Sequence, residues 1–172
     1  MRIIVATALL FLSTVALADN IGERTSRDLA PPPTANDVIG GLYAFGRFQQ
    51  GLLESTELKG NEEIGNIAAL RAEDAAKRDR TLKQIQQEIG AEPATGKTPA
   101  ASGSLAGPYD SEGPAYIRKF YAAQIIEYES AIGLLQRYLQ APDNDTLGAL
   151  ARAQLPILRS QLKDAERAIA DE

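Results

Sequence analysis

Residues 71–82 read RAEDAAKRDRTL, a run of carboxylates and guanidiniums inside a segment whose two flanks carry an apolar stripe at helical spacing. At the waist of a helical bundle such side chains support two kinds of chemistry. Carboxylates can hold a hard cation, or carboxylates, guanidiniums and amides can satisfy one another as an internal network. Arg71, Asp74 and Arg78 lie on the side of the helix that continues the stripe, and Gln124, Glu127, Tyr128, Gln154 and Gln161 come from two later helical segments. These eight residues form the candidate buried polar network. A buried unpaired charge is costly, so either these groups pair or the bundle admits water there. The alternative for Arg71 and Arg78 is that they reach outward along their own stems.

Other chemistries find little support. The chain contains neither histidine nor cysteine, which leaves zinc without its usual donors and Ser55, Ser130 and Ser160 without an imidazole base. Glu54 and Glu57 form an i, i+3 carboxylate pair, and Glu73, Asp74 and Glu127 fall at helix midpoints. An all-oxygen calcium or manganese site could draw on these groups, but a solvated helical face is the plainer reading of the same residues. Gly96, Lys97 and Thr98 resemble a fragment of a phosphate loop but lack the strand that should precede it. Tyr43, Tyr116, Tyr121, Tyr128 and Tyr138 recur at helical spacing, as core and rim residues do. No catalytic, cofactor-binding or metal-binding residue is assigned, and no cofactor is expected.

The elements that position the waist follow from the rest of the chain. Arg2, a short apolar run and the small residues Ala16 and Ala18 read as a secretory signal over residues 1–18, too short to be a membrane span. Its removal would leave 154 of the 172 residues, with 17 basic residues against 23 acidic ones, a net charge of −6. That acidity argues against nucleic acid as a partner. Residues 19–33 end in three prolines and read as a disordered leader, and 34–172 as one domain.

Thr34 to Asp37 offers capping oxygens, and Val38, Leu42, Phe45, Phe48, Leu52 and Leu53 recur at steps of three and four up to about Lys59. Asn61 should cap a second helix whose stripe is Ile64, Ile67, Ala68, Leu82, Ile85 and Ile89, closed by Gly90. Residues 91–112 are rich in Pro, Gly, Ala and Ser and read as one long crossover. Pro114 suits the first turn of a third helix through Tyr116, Ile117, Phe120, Gln124, Tyr128, Ala131, Leu135 and Leu139, with Ile125, Ile126, Ile132 and Leu134 widening its face. The run from Asp143 to Thr146 should cap a fourth through Leu147, Leu150, Ala151, Gln154, Leu158, Leu162, Ala165 and Ile169, kinked near Arg152 by Pro156. The fold class is therefore all-α, a four-helix up-down bundle with one long crossover between helices two and three, the connectivity of ferritin-like folds.

From about Asn36 to Ile169 the chain resembles the bacterial exported family catalogued as domain of unknown function 4142, commonly labelled predicted outer-membrane protein and similar to ferritin-like bundles. The resemblance rests on Glu73, Asp74, Leu82, Gly90 and Pro93, on the stretch from Glu112 to Phe120 with its two aromatics, and on Leu155, Pro156 and Leu158. It implies histidines where this chain has Ala75, Tyr128 and Gln161. Their replacement removes the nitrogen donors that a transition-metal centre in such a bundle would use.

The function that follows is an exported, non-catalytic helical-bundle protein of the bacterial cell envelope, periplasmic or secreted and without a membrane span once the signal is removed. It would act through contacts with an envelope protein of unidentified nature, in stress tolerance or envelope maintenance. Its rivals are a carboxylate-only metal-handling ferritin-like protein and a periplasmic chaperone or adaptor. A homodimer through the tyrosine-bearing face of helix three is a further option.

Overall fold

The computed structural model describes residues 31–59, 62–90 and 112–170, apart from the side chains of 57–59 and 63. The signal, most of the leader, the Asn61 cap, the Glu57 carboxylate and the crossover lie outside the described residues. Four helices fill the rest: α1 (Ala35–Lys59), α2 (Glu62–Glu88), α3 (Gly113–Tyr138) and α4 (Asp145–Ala170). Among the described residues there is no strand.

Each helix begins or ends on chemistry visible in the sequence. Asp37 Oδ2 accepts from the Thr34 backbone N–H at 2.8 Å and from its hydroxyl at 2.7 Å, while Thr34 Oγ1 accepts from the Asp37 N–H at 3.3 Å. This is a reciprocal capping box with aspartate in the usual place of glutamate. Gly90 ends α2 at φ 62°, a left-handed conformation that glycine adopts without a Cβ clash. Pro114 occupies the first turn of α3. Asn144 Oδ1 accepts from the Leu147 N–H at 2.8 Å and caps α4. That helix continues through Pro156 as one element, with Pro156 and Arg152 both on the exposed face.

Cross-contacts fix the helix directions. Gly46 sits against Asp79 and Thr56 against Gly65, so α1 and α2 are antiparallel. Phe45 packs on Tyr128 whereas Ser55 meets Tyr116, so α1 and α3 are antiparallel as well. Gln161 reaches Asp74 and Asp164 approaches Arg71, which makes α2 and α4 antiparallel. Taken together these contacts run the helices up, down, down, up, and put the end of α2 and the start of α3 at opposite ends of the bundle. A helix of 27 residues such as α2 spans about 40 Å, a distance that explains the length of sequence separating α2 from α3. The α1–α2 and α3–α4 pairs pack most closely, α1 rests on α3, and α2 and α4 are in sparser contact than any of these.

The apolar stripes meet in one core: Val38, Ile39, Leu42, Phe45, Phe48 and Leu52 of α1 against Ile64, Leu82 and Ile85, Phe120 and Leu135, and Leu147, Ala151 and Leu158. Ile126 departs from expectation: it is 59% exposed rather than widening the buried face of α3. Four of the five tyrosines considered above, Tyr116, Tyr121, Tyr128 and Tyr138, are buried.

Both ends of the bundle carry satisfied polar groups. At the α3–α4 turn, Asp143 Oδ2 accepts from the Ala35 N–H at 3.1 Å, tying the start of α1 to the turn. The Tyr138 hydroxyl there donates to the Asn144 carbonyl and accepts from the Asn144 N–H, both at 3.2 Å. At the other end Thr56 donates its only hydroxyl proton to the Leu52 carbonyl at 2.7 Å. Tyr116 must therefore donate to Thr56 at 3.0 Å, and Ser55 to Tyr116 at 3.2 Å. Because this chain of hydroxyls is buried, Tyr116→Phe is expected to lower stability by about 1–2 kcal/mol in chemical denaturation. An unchanged midpoint would mean that Ser55 and Thr56 find other partners.

Candidate functional site

Between those two ends lies the waist, and its centre is the Tyr128 hydroxyl. Tyr128 is wholly buried on α3, where Gln124 precedes it by one turn and accepts its proton through Oε1 at 3.2 Å. Phe45 of α1 packs edge to face on Tyr128, with ring centroids 5.4 Å apart and planes at 62°. Arg78 of α2 lays its guanidinium over the Phe45 ring, 4.9 Å from the centroid. A cation over a ring face at this distance is attracted by the ring quadrupole, more strongly when both are desolvated. Gln49, one turn after Phe45, brings its amide beside the Tyr128 hydroxyl without a hydrogen bond of good geometry.

The rim of the waist is the α2–α4 seam. Gln161 donates through Nε2 to Asp74 Oδ2 at 3.2 Å. Arg71 approaches Asp164 at 3.9 Å, and Asp164 also lies 3.8 Å from Arg167. Long, half-exposed ion pairs of this kind contribute little to stability. Glu73 pairs with Lys77 on the surface of α2 at 2.8 Å, away from the waist.

Inside the waist, polar groups outnumber their partners. Arg78 is 5% exposed, and Gln49 and Gln124 are each 2% exposed. Yet Nε and Nη2 of Arg78, both amide atoms of Gln49, Nε2 of Gln124 and Nε of Arg71 lack protein partners. Each buried polar group left unpaired costs about 1–3 kcal/mol, and more when it is charged. Asp79 does not answer Arg78 directly. Its carboxylate lies against α1 where glycine leaves room, since a Cβ on Gly46 would come within 2.9 Å of both its oxygens. One of those oxygens, Oδ1, also lacks a partner.

The protonation states follow from burial. Desolvation lowers the pKa of Arg78, opposed by the charge of Asp79 and more weakly by Tyr128 and Asp74. A guanidinium nonetheless stays protonated at neutral pH. Desolvation raises the pKa of Asp79 against the pull of Arg78 and Arg47, and raises that of Glu127. The Tyr128 phenol is pushed up to about 12, chiefly by burial, with Arg71, Gln49 and Arg78 pulling it back.

A phenol that binds its proton more tightly folded than unfolded supplies stability that is complete below the unfolded value and fades as pH climbs through the folded one. Stability should therefore fall between pH about 10 and about 12. The last phenolate absorbance should appear together with loss of helical circular dichroism. Full ionisation of all six tyrosines while the protein remains helical would contradict this.

The structure brings six of the eight expected residues to the waist, in different ways. Arg78, Gln124, Tyr128 and Gln161 are buried, Arg71 is half-buried at the rim, and Asp74 is exposed, held by Gln161. Asp74 thus departs from a fully internal network because it sits at the open α2–α4 seam. Glu127 and Gln154 are half-buried and bond to none of the others. The sequence reading missed Phe45, Gln49 and Asp79. Gln49 had a signal, since it interrupts the α1 stripe one turn after Phe45 and one before Leu52.

Chemically the arrangement suits anions better than cations. Among the described residues no three Asp or Glu side chains converge as a metal site would require, and the waist instead places a guanidinium at its centre. The carboxylate pair Glu73 and Asp74 is split between Lys77 and Gln161. These residues do not fit a di-metal centre of the kind built in ferritin-like bundles. The Ser55 hydroxyl is engaged with Tyr116, and Ser130 and Ser160 are exposed. No known family, curated protein or solved structure matches this chain in direct comparison. Among the described residues no helix is long and apolar enough to cross a membrane.

Proposed function

We propose that this chain is an exported, non-catalytic helical-bundle protein of the bacterial cell envelope, related to the domain of unknown function 4142 family and its ferritin-like bundles, that acts through protein contacts. The observation that carries the reading is Arg78, a buried positive charge at the height where relatives of that family would gather metal ligands. Ala75, Tyr128 and Gln161, which stand where the resemblance expects histidines, are all buried. Inward-facing positions of that kind support the alignment, and the methyl, phenol and amide found there support a role without coordination chemistry. The up, down, down, up order of the helices agrees with ferritin-like connectivity.

The contact surface is sought on the helices' outer faces, where Leu70 of α2, Ile126 of α3 and Ile157 of α4 are 60%, 59% and 44% exposed. A photo-crosslinking residue placed at each of these positions in living cells should yield a discrete adduct with an envelope protein from at least one. The chain in the periplasmic fraction should begin at Asp19. Retention of residues 1–18 in a cytoplasmic chain, or an absence of adducts from all three positions, would contradict the proposal.

A further inference from the structure

We propose that the waist is a binding site for a small carboxylate anion, held side-on by Arg78 and completed by the amides of Gln124 and Gln49. The set of unpaired donors carries this; all of them are closed to water in the resting bundle, so the anion enters as a seam opens. Nε and Nη2 of Arg78 are the adjacent nitrogens whose N–H bonds point the same way, and both lack a protein partner. That edge of a guanidinium matches the two oxygens of a carboxylate, in two parallel hydrogen bonds. Its other face is already used, against the Phe45 ring.

The surroundings are rich in donors. Gln124 spends its oxygen on the Tyr128 hydroxyl, which leaves its Nε2 as a free donor. Gln49 lies beside the same hydroxyl with its amide uncommitted, so its N–H₂ can turn to a ligand. Arg71 adds a second positive charge at the rim and an unpaired Nε. Two carboxylates are near, but neither fills the fork: Asp74 is bound by Gln161 and Asp79 lies against Gly46. Ala75, wholly buried one turn from both arginines, contributes only a methyl group at this height.

The route of entry is the seam between α2 and α4, which is packed more sparsely than the α1–α2, α3–α4 and α1–α3 seams. Polar pairs, Gln161 with Asp74 and Arg71 with Asp164, bridge it, and the buried apolar side chains beside them on α2 are the small Ala72 and Ala75. The pairing of a guanidinium edge with amide donors selects a planar, monovalent oxyanion over a cation or a neutral solute. This inference does not depend on where the protein acts or on what it contacts.

The test is saturation-transfer NMR on the purified chain in a carboxylate-free buffer, with formate as the probe and chloride as the competitor. Formate should bind saturably with a Kd in the millimolar range, about as tightly as three heavy atoms allow. Arg78→Lys, which keeps the charge but loses the fork, should weaken binding at least tenfold. Gln124→Leu should weaken it severalfold in a chain with its arginine intact, and Arg159→Lys, on the exposed face of α4, should leave it unchanged. The proposal is overturned if formate shows no saturable binding, if Arg78→Lys and Gln124→Leu both bind it as well as the native chain, or if chloride displaces it at equal concentration.

Discussion

Phe45→Ala is expected to lower stability by about 5 kcal/mol, more than any other single truncation in the α1 stripe. Removing a buried phenylalanine ordinarily costs about 3–5 kcal/mol through lost transfer energy and the cavity left behind. Here the ring also supports two other groups. Its edge contact with Tyr128 would be lost, and the Arg78 guanidinium would lose the aromatic face that offsets part of its burial. A desolvated cation–π contact adds about 2 kcal/mol. Since single domains are stable by only about 5–15 kcal/mol, the variant should be largely unfolded at modest denaturant concentrations.

Phe48→Ala provides the comparison, because Phe48 is as deeply buried but carries no cation. It should cost about 2 kcal/mol less. A double-mutant cycle isolates the contact itself: Phe45→Leu should be milder by about 1–2 kcal/mol when Arg78 is already methionine. Equal costs in the two backgrounds would show that the guanidinium does not rest on the ring in solution.

Arg78→Met should act in the opposite direction and raise stability by about 2–3 kcal/mol in a carboxylate-free buffer. Methionine has nearly the same reach and no donors, so it fills the same space without a charge to desolvate. Replacing buried charges by apolar side chains of similar volume often stabilises a protein by about 1–4 kcal/mol. The loss of the cation–π contact subtracts from that gain, but two unpaired donors on a buried cation cost more than it returns. Arg71→Met, at the half-exposed rim with a partner 3.9 Å away, should change stability by less than about 1 kcal/mol. Destabilisation by Arg78→Met would mean that the fork has a protein partner in solution.

An arginine kept buried at the centre with two unpaired donors is better explained by a role for that residue than by the needs of folding. Strain and unpaired polarity of this kind concentrate at functional positions. The same arginine therefore links the proposed absence of metal chemistry to the proposed affinity for a carboxylate.

The helices were legible because their signals are local: a three-and-four apolar step from Val38 to Leu52, proline at the start of α3, glycine after α2 and asparagine before α4. The crossover read from composition lies outside the described residues, but the contacts place the end of α2 and the start of α3 at opposite ends of the bundle. The polar waist could also be located, since Arg78, Gln124, Tyr128 and Gln161 each interrupt an apolar stripe near mid-length.

What the sequence could not supply was pairing. Arg78 was expected either to join a network of carboxylates, guanidiniums and amides or to reach outward along its stem, yet it is buried over the Phe45 ring, and Asp79, one residue on, points to another face of the helix. Gln49 escaped notice for the opposite reason. A neutral amide inside a stripe looks like a tolerated interruption until the fold shows that it faces Tyr128. Ile126 was misassigned because α3 is apolar around more of its circumference than it buries.

The most direct measurement of the central claim is the metal content of the chain purified natively from cells supplied with iron and manganese, with elemental analysis as the readout. Because a guanidinium occupies the middle of the bundle and repels cations, we expect well under one equivalent of either metal and no gain in melting temperature when each is added. A stoichiometric metal, retained through dialysis and lost on substituting Asp74 or Glu127, would contradict the account.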